Sequence, residues 1–148
     1  MKSLLSTGIL ICPLLLAGCL SFGEDEETTM PDPGQVDRCR AEMYLNPSLT
    51  LFPLGYKLEG SGIDDAIWFK FKTRASDPAE IFDTSIVDVT TFKKGFSFLY
   101  EMEGVPWWDV ADKDFLGGQV ALPNVRFMNV GMHETSEGYI VYIMWHET

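Results

Sequence analysis

The chain is 148 residues long, with 22 acidic against 11 basic residues and a net charge of −11. A surface this acidic repels phosphate backbones, which excludes nucleic acid as a partner, and it resists lying flat on anionic lipid headgroups. With 46% hydrophobic residues, the chain has the apolar content for one domain of ordinary size around its own core.

The sequence opens Met1-Lys2 and then runs from Ser3 to Leu16 without a charge. A basic start, a short apolar stretch and small residues before a processing site are the three parts of a secretory signal. The apolar core, Gly8 to Leu16, falls far short of the ~20 residues that a membrane-spanning helix requires, and Pro13 interrupts it. Leu16-Ala17-Gly18-Cys19 closes the stretch. This pattern resembles the lipobox of bacterial lipoproteins, and the resemblance is confined to the N-terminal segment. It implies that residues 1–18 are a cleaved signal, that Cys19 receives a diacylglycerol, and that the lipid anchors the protein to a membrane. Leu20 rather than Asp follows the cysteine, which points to the outer membrane over the inner one. Two or three acyl chains, at ~0.8 kcal/mol per buried methylene, hold a protein at a bilayer without a spanning segment.

Lys2 is the only charge in the leader, so the processed chain is one unit more negative than the full sequence. Cys12 leaves with the signal and Cys19 carries lipid, so Cys39 alone remains and no intramolecular disulfide can form. Cys39 suits a buried small hydrophobe, with an intermolecular disulfide or a free thiol as alternatives.

Residues 19–35 read as the lipidated cysteine and an acidic tether, extended by repulsion among Glu24, Asp25, Glu26 and Glu27. A single globular domain is expected over 36–148. Val36 to Leu45 suggests a short helix, Phe52 to Leu58 a strand, and Gly60-Ser61-Gly62 a turn. Ala66 to Thr73 alternates strictly, with Ile67, Phe69 and Phe71 toward a core and Trp68, Lys70 and Lys72 toward solvent. Ser76-Asp77-Pro78-Ala79-Glu80 has the cap, the first-turn proline and the glutamate of a helix start, and Ile81, Phe82 and Ile86 give that helix an apolar side. Phe92 to Gly95 reads as a loop and Phe96 to Tyr100 as a strand. Val105 to Phe115 suggests a short helical segment closed by Gly117-Gly118, before a brief strand from Gln119 to Leu122. The chain ends in a hairpin: Val125 to His133, a polar loop from Glu134 to Gly138, and Tyr139 to Glu147. The sum is an α+β domain, mainly an antiparallel sheet of about five strands with two or three helices on one face.

No catalytic, metal or cofactor motif emerges. His133-Glu134 begins like a helical zinc motif but lacks the second histidine and falls at a hairpin turn, while His146 belongs near Arg126. Asp112-Lys113-Asp114 opens like a calcium loop, yet Leu116 and Pro123 stand where oxygen ligands belong, which leaves only a looser grouping of Asp109, Asp112 and Asp114. Trp107, Trp108 and Asp109 lie in a connection between elements and are the stronger candidates, because tryptophan is enriched at interface hot spots. The same rings also suit a cap on the core. Trp68, on the lysine face, is a further partner-binding candidate, and Trp145 belongs to the core. The reading that fits is a lipid-anchored, periplasm-facing module of the bacterial cell envelope that binds another protein, a basic one by charge, of the envelope-accessory, immunity or exclusion type. An envelope hydrolase, needing a polar cleft, and a small-ligand carrier, needing an apolar cavity, are the alternatives.

Overall fold

The computed structural model describes residues 23–61 and 64–147; the lipobox and Gly62 of the expected turn lie outside them. The elements are β1 (Glu26–Thr28), α1 (Pro33–Glu42), β2 (Leu51–Glu59), β3 (Ala66–Thr73), β4 (Lys93–Lys94), β5 (Leu116–Leu122), β6 (Arg126–Thr135) and β7 (Gly138–Glu147). The strands form one antiparallel sheet in the order β1-β2-β3-β7-β6-β5-β4. The α+β class and the antiparallel sheet agree with the sequence, but the sheet has seven strands rather than five. Among the described residues there is one α-helix rather than two or three.

The sheet is organised by the period-2 pattern of its central strands, β3 and β7. Ile67, Phe69 and Phe71 of β3 and Val141, Ile143 and Trp145 of β7 share one face with Met128, Val130 and Met132 of β6. Burying side chains of this size contributes ~1.5–3 kcal/mol each. Cys39 of α1 and Met43 at its C-terminal cap cover this face, together with Ile81, Phe82, Val87 and Phe92 from the segment between β3 and β4. Cys39 is free and fully buried, and burial pushes its thiol up to about 12 against the opposing pull of Arg38. It is a packing residue, held as an unreactive thiol.

Helix α1 starts before Val36. Gln35 N–H donates to the Asp32 carboxylate at 2.9 Å, and Asp32 N–H donates to the Gln35 side chain at 3.0 Å. This reciprocal cap, with Pro33 in the first turn, fixes the start. Strand pairing begins earlier still, inside the segment expected to be tether. Glu26 to Thr28 pair with Leu58 to Tyr56, which sets Glu27 opposite Lys57, and the Glu26 carboxylate accepts from Gln35 at 2.7 Å. An opposite charge directly across a strand pair offsets part of the repulsion within the acidic run.

Further expectations are corrected. The helix start at Asp77 yields only a 3₁₀ turn, Pro78–Glu80. Asp77 does cap Ala79 N–H, but Asp83 then turns the chain by accepting from Ser85 N–H at 3.0 Å, a local bond that competes with helix propagation. Phe96 to Tyr100 and Val105 to Phe115, expected as strand and helix, are irregular. Gly117 and Gly118, expected to close that helix, lie within β5, where a side chain at 117 would run into the Val130 carbonyl at 2.0 Å and Phe96 at 2.9 Å, and one at 118 into Phe92 at 2.9 Å. The terminal hairpin is tighter than expected, turning through Ser136-Glu137, and Phe127 rather than Arg126 faces His146.

Candidate functional site

The sheet's second face is closed by irregular chain. Residues 95–115 contain neither helix nor strand. Structureless segments beyond ~12–15 residues are uncommon in compact domains and usually functional. Leu99, Val105, Trp108, Val110 and Phe115 from this loop pack on Trp68 and Tyr142 of the sheet. Trp108 and Phe115 both meet the Tyr142 ring edge-on, at 5.5 and 5.2 Å between centroids. The alternation of β3 therefore does not leave one face wet: Trp68 and Lys70 are 9% exposed beneath the loop.

A charged cluster pins the loop in place. Lys70 donates to the Asp109 carboxylate at 2.5 Å and to the Trp107 carbonyl at 2.9 Å. Tyr142 O–H donates to the same carboxylate oxygen at 2.9 Å, and Lys113 donates to the other at 3.0 Å. The Lys70 ammonium also sits over the Tyr142 ring, 5.0 Å from its centroid. Desolvation alone would raise the Asp109 carboxyl, but the bonds from Lys70, Lys113 and Tyr142 outweigh it and hold the group well below the usual carboxylate range. Burial, reinforced by Asp109, drives the Tyr142 phenol far above its ordinary value. Lys70 is thus a buried cation whose charge is matched by one side chain from a distant part of the sequence.

Of the residues singled out by sequence, Trp68, Trp107, Trp108 and Asp109 come together at this cluster, in unequal settings. Trp108 is 2% exposed, and its indole N–H donates to the Tyr100 carbonyl at 2.9 Å, so it belongs to the core of the second face. Trp107 is half-buried and lies on Gly55 of β2, where a Cβ would come within 2.1 Å of the ring. Its indole N–H reaches the Glu27 carboxylate of β1 at 3.2 Å. Asp109 has half of its side chain exposed, yet its oxygens are occupied by two lysines and a tyrosine. Asp109 therefore acts as a clamp, and no group of three or more metal-ligating side chains occurs among the described residues.

Two residues that the sequence reading passed over stand out instead. Phe98 and Tyr100 are 57% and 62% exposed, because the burial of Leu99 between them turns both rings outward. Next along the chain, Glu101, Met102, Glu103, Pro106, Trp108 and Asp109 line a depression of about 590 Å³. Glu101 and Glu103 are exposed. Their signal in the sequence was the alternation Phe96-Ser97-Phe98-Leu99-Tyr100, which implied two sides but not that the wet side would carry the larger rings.

The two histidines are far apart in role. His146 stacks on Phe127, 5.8 Å between centroids. His133, whose ring lies 3.3 Å from the Asp114 carbonyl oxygen, borders a separate depression of about 440 Å³ with Lys94, Asp114, Glu134 and Tyr139. No family model matches the chain, and no characterised protein or solved structure is detectably similar to it.

Proposed function

We propose that the chain is a lipid-anchored docking module of the bacterial envelope, which binds a basic segment of another protein on the loop of residues 95–115. The observation that carries this reading is the pairing of exposed Phe98 and Tyr100 with the depression bordered by Glu101 and Glu103. Exposed aromatic rings supply apolar contact area, and adjacent carboxylates select lysine and arginine. The Lys70–Asp109 clamp supports the reading because a loop already fixed in shape loses little conformational entropy when a partner arrives. The acidic balance of the whole chain steers a basic partner toward it. Lipid attachment through Cys19, at the outer membrane, places this surface in the periplasm.

The hydrolase alternative draws on the depression beside His133, Asp114 and Glu134. Its lining contains no serine, threonine or cysteine, so it would need water or one of its carboxylates as the nucleophile. The docking reading rests on more of the molecule.

The test is affinity capture from bacterial envelope extracts with the tagged full-length chain in mild detergent, beside Phe98→Ser/Tyr100→Ser and Glu101→Gln/Glu103→Gln variants. A basic protein retained by the wild type, released by salt and lost from both variants is the expected result. Capture that is indifferent to both variants places the partner elsewhere and overturns the assignment.

A further inference from the structure

The two edges of the sheet are finished differently. At one edge β1 is only three residues long and carries exposed Glu26 and Glu27. The part of β2 that β1 leaves open holds Pro53 and a register shift between Pro53 and Gly55. Short length, charge, proline and bulges are the means by which proteins keep edge strands from pairing with other chains. At the other edge, β4 pairs with β5 only through Lys93–Gly117 and Lys94–Leu116, and among the described residues no strand lies beside Gly118 to Leu122. Those protections end with the two exposed lysines of β4: from Phe115 to Val125 the sequence has no charge, and its proline comes only at position 123.

The direction of the open main-chain groups follows from one hydrogen bond. Gly95 N–H donates to the Phe115 carbonyl at 2.9 Å, so Phe115 faces this edge. Main-chain groups alternate from edge to edge along a strand, so Gln119 and Ala121 turn their N–H and C=O outward as well. Both residues are exposed, whereas Val120 and Leu122 between and after them are buried.

We infer that this edge pairs with the same edge of a second copy, β5 antiparallel to β5 about a two-fold axis through Val120. In that register Gln119 faces Ala121 of the other copy and Ala121 faces its Gln119, so each outward N–H meets an outward C=O. Position 118 faces 122, and at Pro123 the chain turns away into β6 before reaching the place that Lys93 occupies. The uncharged seam is what admits a second copy: two molecules of the same strong negative charge repel across most other surfaces. Edge pairing of this kind keeps the faces of the two sheets in common, so both 95–115 loops stand on one side. The edge also lies about 24 Å from β1, five strand spacings away from the N-terminal end of the chain.

The test uses the full-length chain in mild detergent, with mass measured by sedimentation over a range of concentrations. Gln119→Lys/Ala121→Lys puts like charges opposite each other across the two-fold and is expected to give monomer. Gln119→Lys/Ala121→Glu puts opposite charges across it and is expected to restore the dimer. Far-UV circular dichroism checks that both exposed double substitutions keep the fold. A wild type that stays monomeric at every concentration overturns the inference, as does a dimer unaffected by the lysine pair. A Lys/Glu variant that remains monomeric also overturns it, because the two-fold register is then wrong.

Discussion

One face of the sheet is closed by regular packing and the other by a loop, and the two closures obey different physics. On the α1 side the core contacts are apolar, among Phe69, Phe71, Ile143, Trp145 and the side chains above them, and the ion pairs Arg38–Asp65 and Arg126–Glu42 lie at its margin. On the loop side a similar aromatic layer surrounds an ammonium, two of whose contacts are to Trp107 and Asp109 of the loop. The first closure is roughly proportional to area and indifferent to direction; the second depends on a particular carboxylate arriving at a particular place. An apolar layer gives cohesion, while a buried ion pair fixes the course of a chain that has no helix or ladder to guide it.

The contrast can be broken by mutation, most severely on the apolar side. Phe69→Ala should cost ~3–5 kcal/mol through the lost ring and the cavity left behind, read as a lower urea midpoint. Asp109→Ala should cost about 1–3 kcal/mol, since it leaves Lys70 buried without its counter-charge. Its transition should stay single if the loop unfolds with the sheet; an early separate step would show that the two closures are independent.

The same carboxylate sharpens the comparison through pH. Because folding lowers the pKa of Asp109, its contribution is complete above the unfolded value of about 4 and is lost as pH falls toward the lower folded value. The stability advantage of the wild type over Asp109→Asn should therefore be full at neutral pH and shrink in acid. Phe69→Ala should show no comparable dependence on this group. Gly55→Ala comes next, at ~1–3 kcal/mol from overpacking, because its methyl group falls within the Trp107 ring; acrylamide quenching should report the displaced indole. Smallest is Glu101→Gln/Glu103→Gln, within ~0.5 kcal/mol in stability, as expected for exposed residues away from the core.

These differences also explain what could be read from the sequence. The α1 face was legible because its determinants are local: strict alternation in Ala66 to Thr73, a hairpin near the end, a cluster of apolar residues around Cys39. The loop face was not, since the same alternation that places Lys70 and Lys72 opposite the core reads as a wet surface. Lys70 is buried only because Asp109, 39 positions later, supplies the charge. Likewise, Gly117-Gly118 reads as a helix stop until Phe92 and Phe96 are known to occupy the space where side chains would stand. Of the candidate residues, the neighbourhood of Trp107, Trp108 and Asp109 was visible as an aromatic connection. Which rings face inward was decided by Tyr142 and Gly55, neither adjacent in sequence.

The bond between Trp107 and Glu27 ties this loop to the first strand of the chain. That strand is held at the sheet margin by three residue pairs in an antiparallel ladder. A pull on the N-terminal end directed across that ladder would load those pairs one after another rather than together. As β1 leaves, Glu27 withdraws from the indole, and the ring resting on Gly55 loses its outer restraint. Tension along the chain would thereby be converted into slack at the edge of the 95–115 loop.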